Sequence, residues 1–383
     1  MKTKSLLKAL PLACLLVFAA RLTAQVDYSP VFTTLRLEAR ADFDYISSQN
    51  SLTNATANHY GFNGRYFNLL IGGNLSDKYS YFFRQRIVAK PGTTSLFDNT
   101  DFLYLNYKPN ERWTLRLGKD AIAVGGFEYD ASPIDVLFST VYWDNFYCFQ
   151  LGASGVYKTT DNHNMFVAQV ANSPYVYYGS GVGTGLGSEW RSGLLSYSLL
   201  WAGTFGHFRT IYSVNMFERE RGSFMGYMAL GHLLSYDRWD VYLDLLHHSL
   251  AADDWGKNFG VVSCLNVLVT KDINLFAKAA YEQNRSEVDI LRYNTTGTVL
   301  DCLVRAGHCY SLCGMGVEWR PALCKDVKLH GFVAYRDDKT LAEVSTTGSD
   351  EHANKLNVNV GIMWNMDVHK MLKERVLKEM HSK

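Results

Sequence analysis

The fold this sequence predicts is all-β: a transmembrane antiparallel barrel of sixteen strands. Three observations predict it. Apolar and polar residues alternate with period two at both ends of the chain, and the connections between strands alternate between short and long. Beyond the N-terminus, no apolar run is long enough to cross a bilayer as a helix. The 383 residues are 47% hydrophobic and 14% aromatic, with only 7 prolines, which excludes a disordered or collagen-like chain.

Residues 1–24 read as a cleavable export signal. Lys2, Lys4 and Lys8 precede the apolar stretch Ala9 to Ala20, and Leu22-Thr23-Ala24 supplies small residues before a cut ahead of Gln25. Removing this segment and its cations leaves a nearly neutral, slightly acidic chain, which offers no footprint for nucleic acid.

The barrel is expected over residues 25–367. In its first strand Leu35, Leu37, Ala39, Ala41, Phe43 and Tyr45 alternate with Arg36, Glu38, Arg40, Asp42 and Asp44. In its last, Leu356, Val358, Val360, Ile362 and Trp364 alternate with Lys355, Asn357, Asn359, Gly361 and Asn365. Fourteen further strands are expected near 60–75, 79–90, 100–107, 112–120, 145–158, 164–172, 190–205, 207–219, 222–235, 238–250, 257–270, 273–284, 301–319 and 325–337, with no helical period of comparable strength before residue 367.

Short polar turns such as Asn74 to Lys78 and Tyr236 to Trp239 alternate with longer segments near 47–59, 91–99, 121–144, 173–189, 285–300 and 338–353. Short turns at one end and long loops at the other mark an outer-membrane barrel, and an even strand count puts both termini at the turn end. A soluble sandwich would bury its apolar faces in a core. Here the apolar face is instead opposed by a charged one in strand after strand, as lipid outside and water inside require. Residues 368–383 form a separate amphipathic tail. Met371, Leu372, Val376, Leu377 and Met380 recur at helical spacing among basic residues, with Asp367 placed to cap.

No catalytic motif, nucleotide loop or metal spacing is present, so neither enzyme chemistry nor a cofactor is expected. The six cysteines after the signal lack paired zinc spacing, and their pairing is left open. The charged inner face carries more information. If the apolar faces meet lipid, then Arg36, Arg40, Arg84, Arg86, Arg116, Lys328 and Arg336 project into the lumen as pore-lining, anion-interacting candidates, alongside Lys278 and several acids.

Within the long connection after the fifth strand, Gly118-Lys119-Asp120 is followed by Gly125-Gly126-Phe127-Glu128-Tyr129-Asp130 and Ser132-Pro133-Ile134-Asp135. Here the sequence resembles the phosphate-selective porin O and P family. The resemblance implies a sixteen-stranded trimeric porin in which this loop folds into the channel, making Lys119, Glu128, Tyr129, Asp130 and Asp135 constriction candidates. The expected function is passive diffusion of ions and small hydrophilic solutes across the outer membrane, with mild preference for anions or phosphate. The partners are membrane lipid, those solutes and two further copies of the chain. The rivals are a barrel-borne lipase or protease and a closed structural or adhesive barrel.

Overall fold

A computed structural model describes residues 31–51, 55–87, 96–145, 148–174, 193–249, 256–285, 290–293, 299–341 and 352–372. The export segment, most of the connection expected near 173–189 and residues 373–383 of the tail lie outside them. The strands are β1 (Thr34–Asn50), β2 (Ala55–Asn74), β3 (Tyr79–Arg86), β4 (Thr100–Tyr107), β5 (Trp113–Ala121), β6 (Phe149–Lys158), β7 (Asn164–Asn172), β8 (Leu195–Phe205) and β9 (Phe208–Glu220). They continue with β10 (Ser223–Tyr236), β11 (Trp239–Ser249), β12 (Phe259–Leu268), β13 (Ile273–Asn284), β14 (Ile290–Tyr293), β15 (Val299–Val304), β16 (His308–Trp319), β17 (Val327–Thr340) and β18 (His352–Asp367). Sixteen close into an antiparallel barrel in which β1 pairs with β18, while β14 and β15 form a separate hairpin between β13 and β16.

Alternation sorts the side chains as lipid and water demand. Leu115, Leu117, Leu199, Val214, Met315 and Val360 are exposed on the outer wall, whereas Glu38, Arg40, Asp42 and Asp44 of β1 are buried inside. At the turn end, Tyr79 stacks on Tyr107 at 5.0 Å, Trp113 packs on Tyr157 at 5.0 Å, and Tyr236 packs on Trp239 at 4.8 Å, the aromatic girdle of a membrane interface.

Several local expectations are corrected. Residues 47–50 and 55–59 are strand rather than loop: β1 and β2 stay paired from Gly72 opposite Thr34 up to Asn50 opposite Ala55, with one register shift at Arg40/Ala41, because outward pairs such as Phe43 with Phe62 and Tyr45 with Tyr60 prolong the ladder. The connection from β9 to β10 lies at the loop end yet is tight, closed by Gly222 at φ 80°. The strand expected from 301 is divided between β15 and β16. Two short helices, α1 (Phe127–Asp130) and α2 (Val141–Asn145), interrupt the fifth connection, too short to show a helical period in the sequence. After β18, residues 368–372 turn into helix, with the Lys370 amide donating to Asp367 Oδ1 at 2.9 Å.

Candidate functional site: a strap across the lumen

Residues 122–145 fold inward and cross the barrel. The crossing begins where Gln169 on β7 holds both sides of the chain, accepting from the Ala123 amide and donating to the Ala121 carbonyl. The Gly125 amide donates to Ser213 Oγ and the Gly126 amide to the Ile211 carbonyl, laying this glycine pair flat on β9. A Cβ on Gly125 would lie 2.6 Å from that carbonyl, and Gly126 has φ 99°, so larger residues would lift the strap from the wall.

Two wall carboxylates then bind the strap by its backbone. Asp244 on β11 accepts from the amides of Phe127 and Glu128, at 2.8 and 2.9 Å. Glu282 on β13 accepts from those of Val141 and Tyr142, at 2.8 and 2.6 Å. In each case a carboxylate meets two free amides at the start of a helical turn. Between these anchors Glu128 accepts from the Thr140 amide and hydroxyl and pairs with Lys278, whose ammonium also donates to the Phe138 carbonyl. The strap then reaches the far wall. Lys328 on β17 pairs with Asp135 at 2.7 Å, and Arg40 on β1 donates to the carbonyls of Ile134, Val136 and Leu137.

On one side, strap and wall fuse into a core. Ile122, Val124, Tyr129, Val141 and Tyr142 pack with Phe217, Met225, Tyr227, Leu246 and Val262, which fills the lumen beside β9–β12. The inner faces of β2–β5 lie away from that plug. There Arg84 and Arg86 share Asp101, Arg116 pairs with Asp120 at 2.5 Å, and the three guanidiniums stack over Phe102, Tyr66 and Tyr104 respectively.

The predicted residues thus have distinct surroundings. Arg40 and Arg84 are nearly sealed from water, Arg36 lies 3.7 Å from Asp367 at the turn end, and Lys328 bridges Asp135 and Glu318. Arg336 is partly open and lies over Tyr310. Of the constriction candidates, Glu128 and Tyr129 are buried inside the strap, while Asp130 and Asp135 meet solvent. Asp130 is exposed as a residue, yet burial of its carboxyl pushes it above the usual carboxylate range, with the Arg209 charge drawing it back. Lys119 is placed elsewhere. It belongs to β5 and not to the loop, sits opposite Leu103, and donates to the Phe97 carbonyl at 2.7 Å.

Three inward cations stand outside the predicted pore-lining set, although the alternation of the last strand had already put Lys355 on its polar face. Lys355 stands directly opposite Arg336 on the inner face of β17 and β18, and neither forms an ion pair among the described residues. Arg65 sits at a register shift between β1 and β2 and pairs with Asp42 and Asp44, so its period does not betray its inward direction. Arg209 lies over Phe127, and its alternation with Val214 and Met216 on β9 could have revealed it. Among the described cysteines, Cys264, Cys309, Cys313 and Cys324 are free thiols.

Comparison with known proteins gives one family and many barrels. A family model described as phosphate-selective porin O and P matches residues 34–254. No curated protein matches the chain. Among solved structures, the outer membrane channel DcaP of Acinetobacter baumannii superposes with a TM-score of 0.58 at 10% identity, over 87% of this chain and 96% of that one. The anion-selective porin from Comamonas acidovorans gives 0.52 at 12%, over 87% and 99%. The trimer form of OmpT of Vibrio cholerae gives 0.51 at 12%, over 86% and 98%. At these identities the likeness speaks for the fold.

Proposed function

Because the chain belongs to the phosphate-selective porin O and P family, and so is a passive outer-membrane channel, we propose that it admits ions and small hydrophilic solutes beside the strap with mild anion preference. The observation that carries the preference is the pair Arg336 and Lys355. Like charges directly opposite on neighbouring strands repel, and no described carboxylate lies within ion-pair distance of either, although Glu282 acts on Arg336, and Asp144 and Asp44 on Lys355, through space. Such a pair at the loop-end mouth raises the local concentration of anions. The acids of the strap oppose this less than their number suggests, because Glu128 is matched by Lys278 and Asp135 by Lys328.

Mechanistically the barrel needs only geometry and fixed charge. The strap and its core narrow the lumen, and solutes pass between the strap and the β2–β5 wall, where the paired arginines offer hydrogen bonds without a deep electrostatic well. No covalent step is invoked, and the protein acts as a channel rather than an enzyme. Three copies associate, in keeping with the trimer form of the Vibrio protein. Residues 1–24 direct export and are removed by a cut after Ala24, and the tail that begins at residue 368 lies on the periplasmic side, where both barrel ends emerge.

Planar-bilayer recording of the refolded protein tests this reading. Open steps whose reversal potential in a KCl gradient shows chloride passing more readily than potassium support it. A folded protein without conductance removes the pore, and cation preference removes the role given to Arg336 and Lys355.

A further inference from the structure

Gly361 interrupts the inward row of β18. Lys355, Asn357 and Asn359 precede it with polar side chains, and Met363 follows. It stands directly opposite Asp42 of β1 on one side and His330 of β17 on the other. A Cβ built there would fall on Asp42 Oδ1 and His330 Nε2. The missing side chain leaves room for a bond that skips a strand: His330 Nε2 and Asp42 Oδ1 are 3.1 Å apart, both side chains sealed from water. Asp42 is already matched by Arg40 and Arg65, so its carboxylate accepts and the imidazole donates across β18.

Asp42 in turn aims Arg40. Nε and Nη2 of Arg40 donate to that carboxylate at 2.8–3.0 Å, which leaves Nη1 to donate to the strap carbonyls of Ile134 and Val136 at 3.2 and 2.9 Å. A planar guanidinium with one edge on a carboxylate cannot turn its other edge freely, so the place of Asp42 fixes the strap contact. The limb held in this way borders the passage. Arg40 stands opposite Tyr66 of β2, over whose ring Arg86 lies at 5.3 Å. Lys328, on the same inward face of β17, holds Asp135 of the strap directly. His330 has no described hydrogen bond to the strap, and its nearest link to it runs through Asp42 and Arg40.

We propose that His330 is a positioning residue of the channel: through Asp42 and Arg40, across the space left at Gly361, it sets where strap residues 134–137 lie and hence the width of the passage beside β2. The inference rests on the reading that solutes pass between the strap and the β2–β5 wall. Packing alone would ask only for a flat ring at residue 330. Action through Asp42 asks for a donor there and for an empty place at residue 361.

The test records single channels of the refolded full chain in planar bilayers, with folding checked first by heat-modifiable mobility in gels. His330→Phe keeps a ring and removes the donor, whereas Gly361→Ala disturbs the bond and leaves both partners in place. Each is expected to lose the steady conductance level and gain open-channel noise, the behaviour expected of Arg40→Ala. His330→Gln, which returns an N–H near the position of Nε2, is expected to bring the steady level back. In the Arg40→Ala background His330→Phe is expected to add nothing, because residues in one chain of contacts do not act additively. A steady wild-type level from folded His330→Phe or Gly361→Ala overturns the assignment. So does His330→Gln that behaves as His330→Phe, or an additive effect in the Arg40→Ala background. Should His330→Phe fail to fold, Gly361→Ala, alone and with Arg40→Ala, carries the test. Should both fail, these residues are a requirement of the barrel and not of the strap's position, and the assignment falls. Folded wild-type protein without conductance removes the pore reading itself, an outcome that no variant is needed to see.

Discussion

Lys278 of β13 and Glu128 of the strap form an ion pair almost sealed from water, with side chains 7% and 2% exposed. The ammonium also holds the Phe138 carbonyl, so one wall residue fixes both limbs of the strap where they pass each other.

Replacing Lys278 by Met leaves Glu128 buried without its cation. Breaking such a pair from one side costs about 3–5 kcal/mol. Lys278→Met is therefore expected to lower the unfolding midpoint in denaturant and to make the open channel noisy. A quiet channel with wild-type stability would show that the pair does not hold the strap.

Asp244 and Glu282 anchor backbone rather than side chains, so no change in the strap's own sequence replaces them. Each charge-assisted bond is worth roughly 1.5–3 kcal/mol. Asp244→Asn keeps one acceptor but turns an amide toward a second donor, and it is expected to increase proteolysis near residues 127–130. A chymotrypsin cleavage pattern at Phe127 and Tyr129 that stays at wild-type level would contradict this.

Selectivity should follow the unpaired cations more than the buried ones. Replacing Arg336 and Lys355 together by Ala is expected to move the reversal potential toward cation preference. Arg40→Ala, by contrast, removes three bonds to the strap and is expected to act first on stability and channel noise. Equal shifts from both would place Arg40 in the conduit.

Arg84 and Arg86 converge on Asp101, which is fully buried between them. Replacing both by Ala subtracts two positive charges and also uncovers a negative one. A shift toward cations is the expected result. An unchanged reversal potential would remove this wall from the conduit.

Asp130 gives the channel a pH response with a definite sign. Its carboxyl is held above the usual range, so as pH falls it takes up a proton before an ordinary carboxylate would, and the lumen loses a negative charge. Anion preference should therefore begin to rise at a pH above the ordinary carboxylate range. Asp130→Asn should abolish that early step, and a titration identical to wild type would exclude Asp130 as its source. The same raised value means that the protonated form is favoured in the fold, so any stability contributed by Asp130 is lost as pH rises through its folded value.

What the sequence determined by itself was the wall. Alternation in stretches such as Leu35 to Tyr45 fixes which side chains face lipid, because successive residues of a strand point to opposite faces whatever the rest of the chain does. Strand number, turn positions and the identity of the inward loop followed from the same local rule and from the Gly125-Gly126-Phe127-Glu128 stretch. What only the tertiary structure decided was which charges are free. Asp135 meets Lys328 across 193 residues of chain, and Lys278 meets Glu128 across 150, distances over which no periodicity carries information. The outward bent of Lys119 and the inward pairing of Arg336 opposite Lys355 depend likewise on register and on what folds against them. A barrel's faces are a property of the strand, whereas the electrostatics of its lumen are a property of closure, since only closure brings the strap and the far wall together.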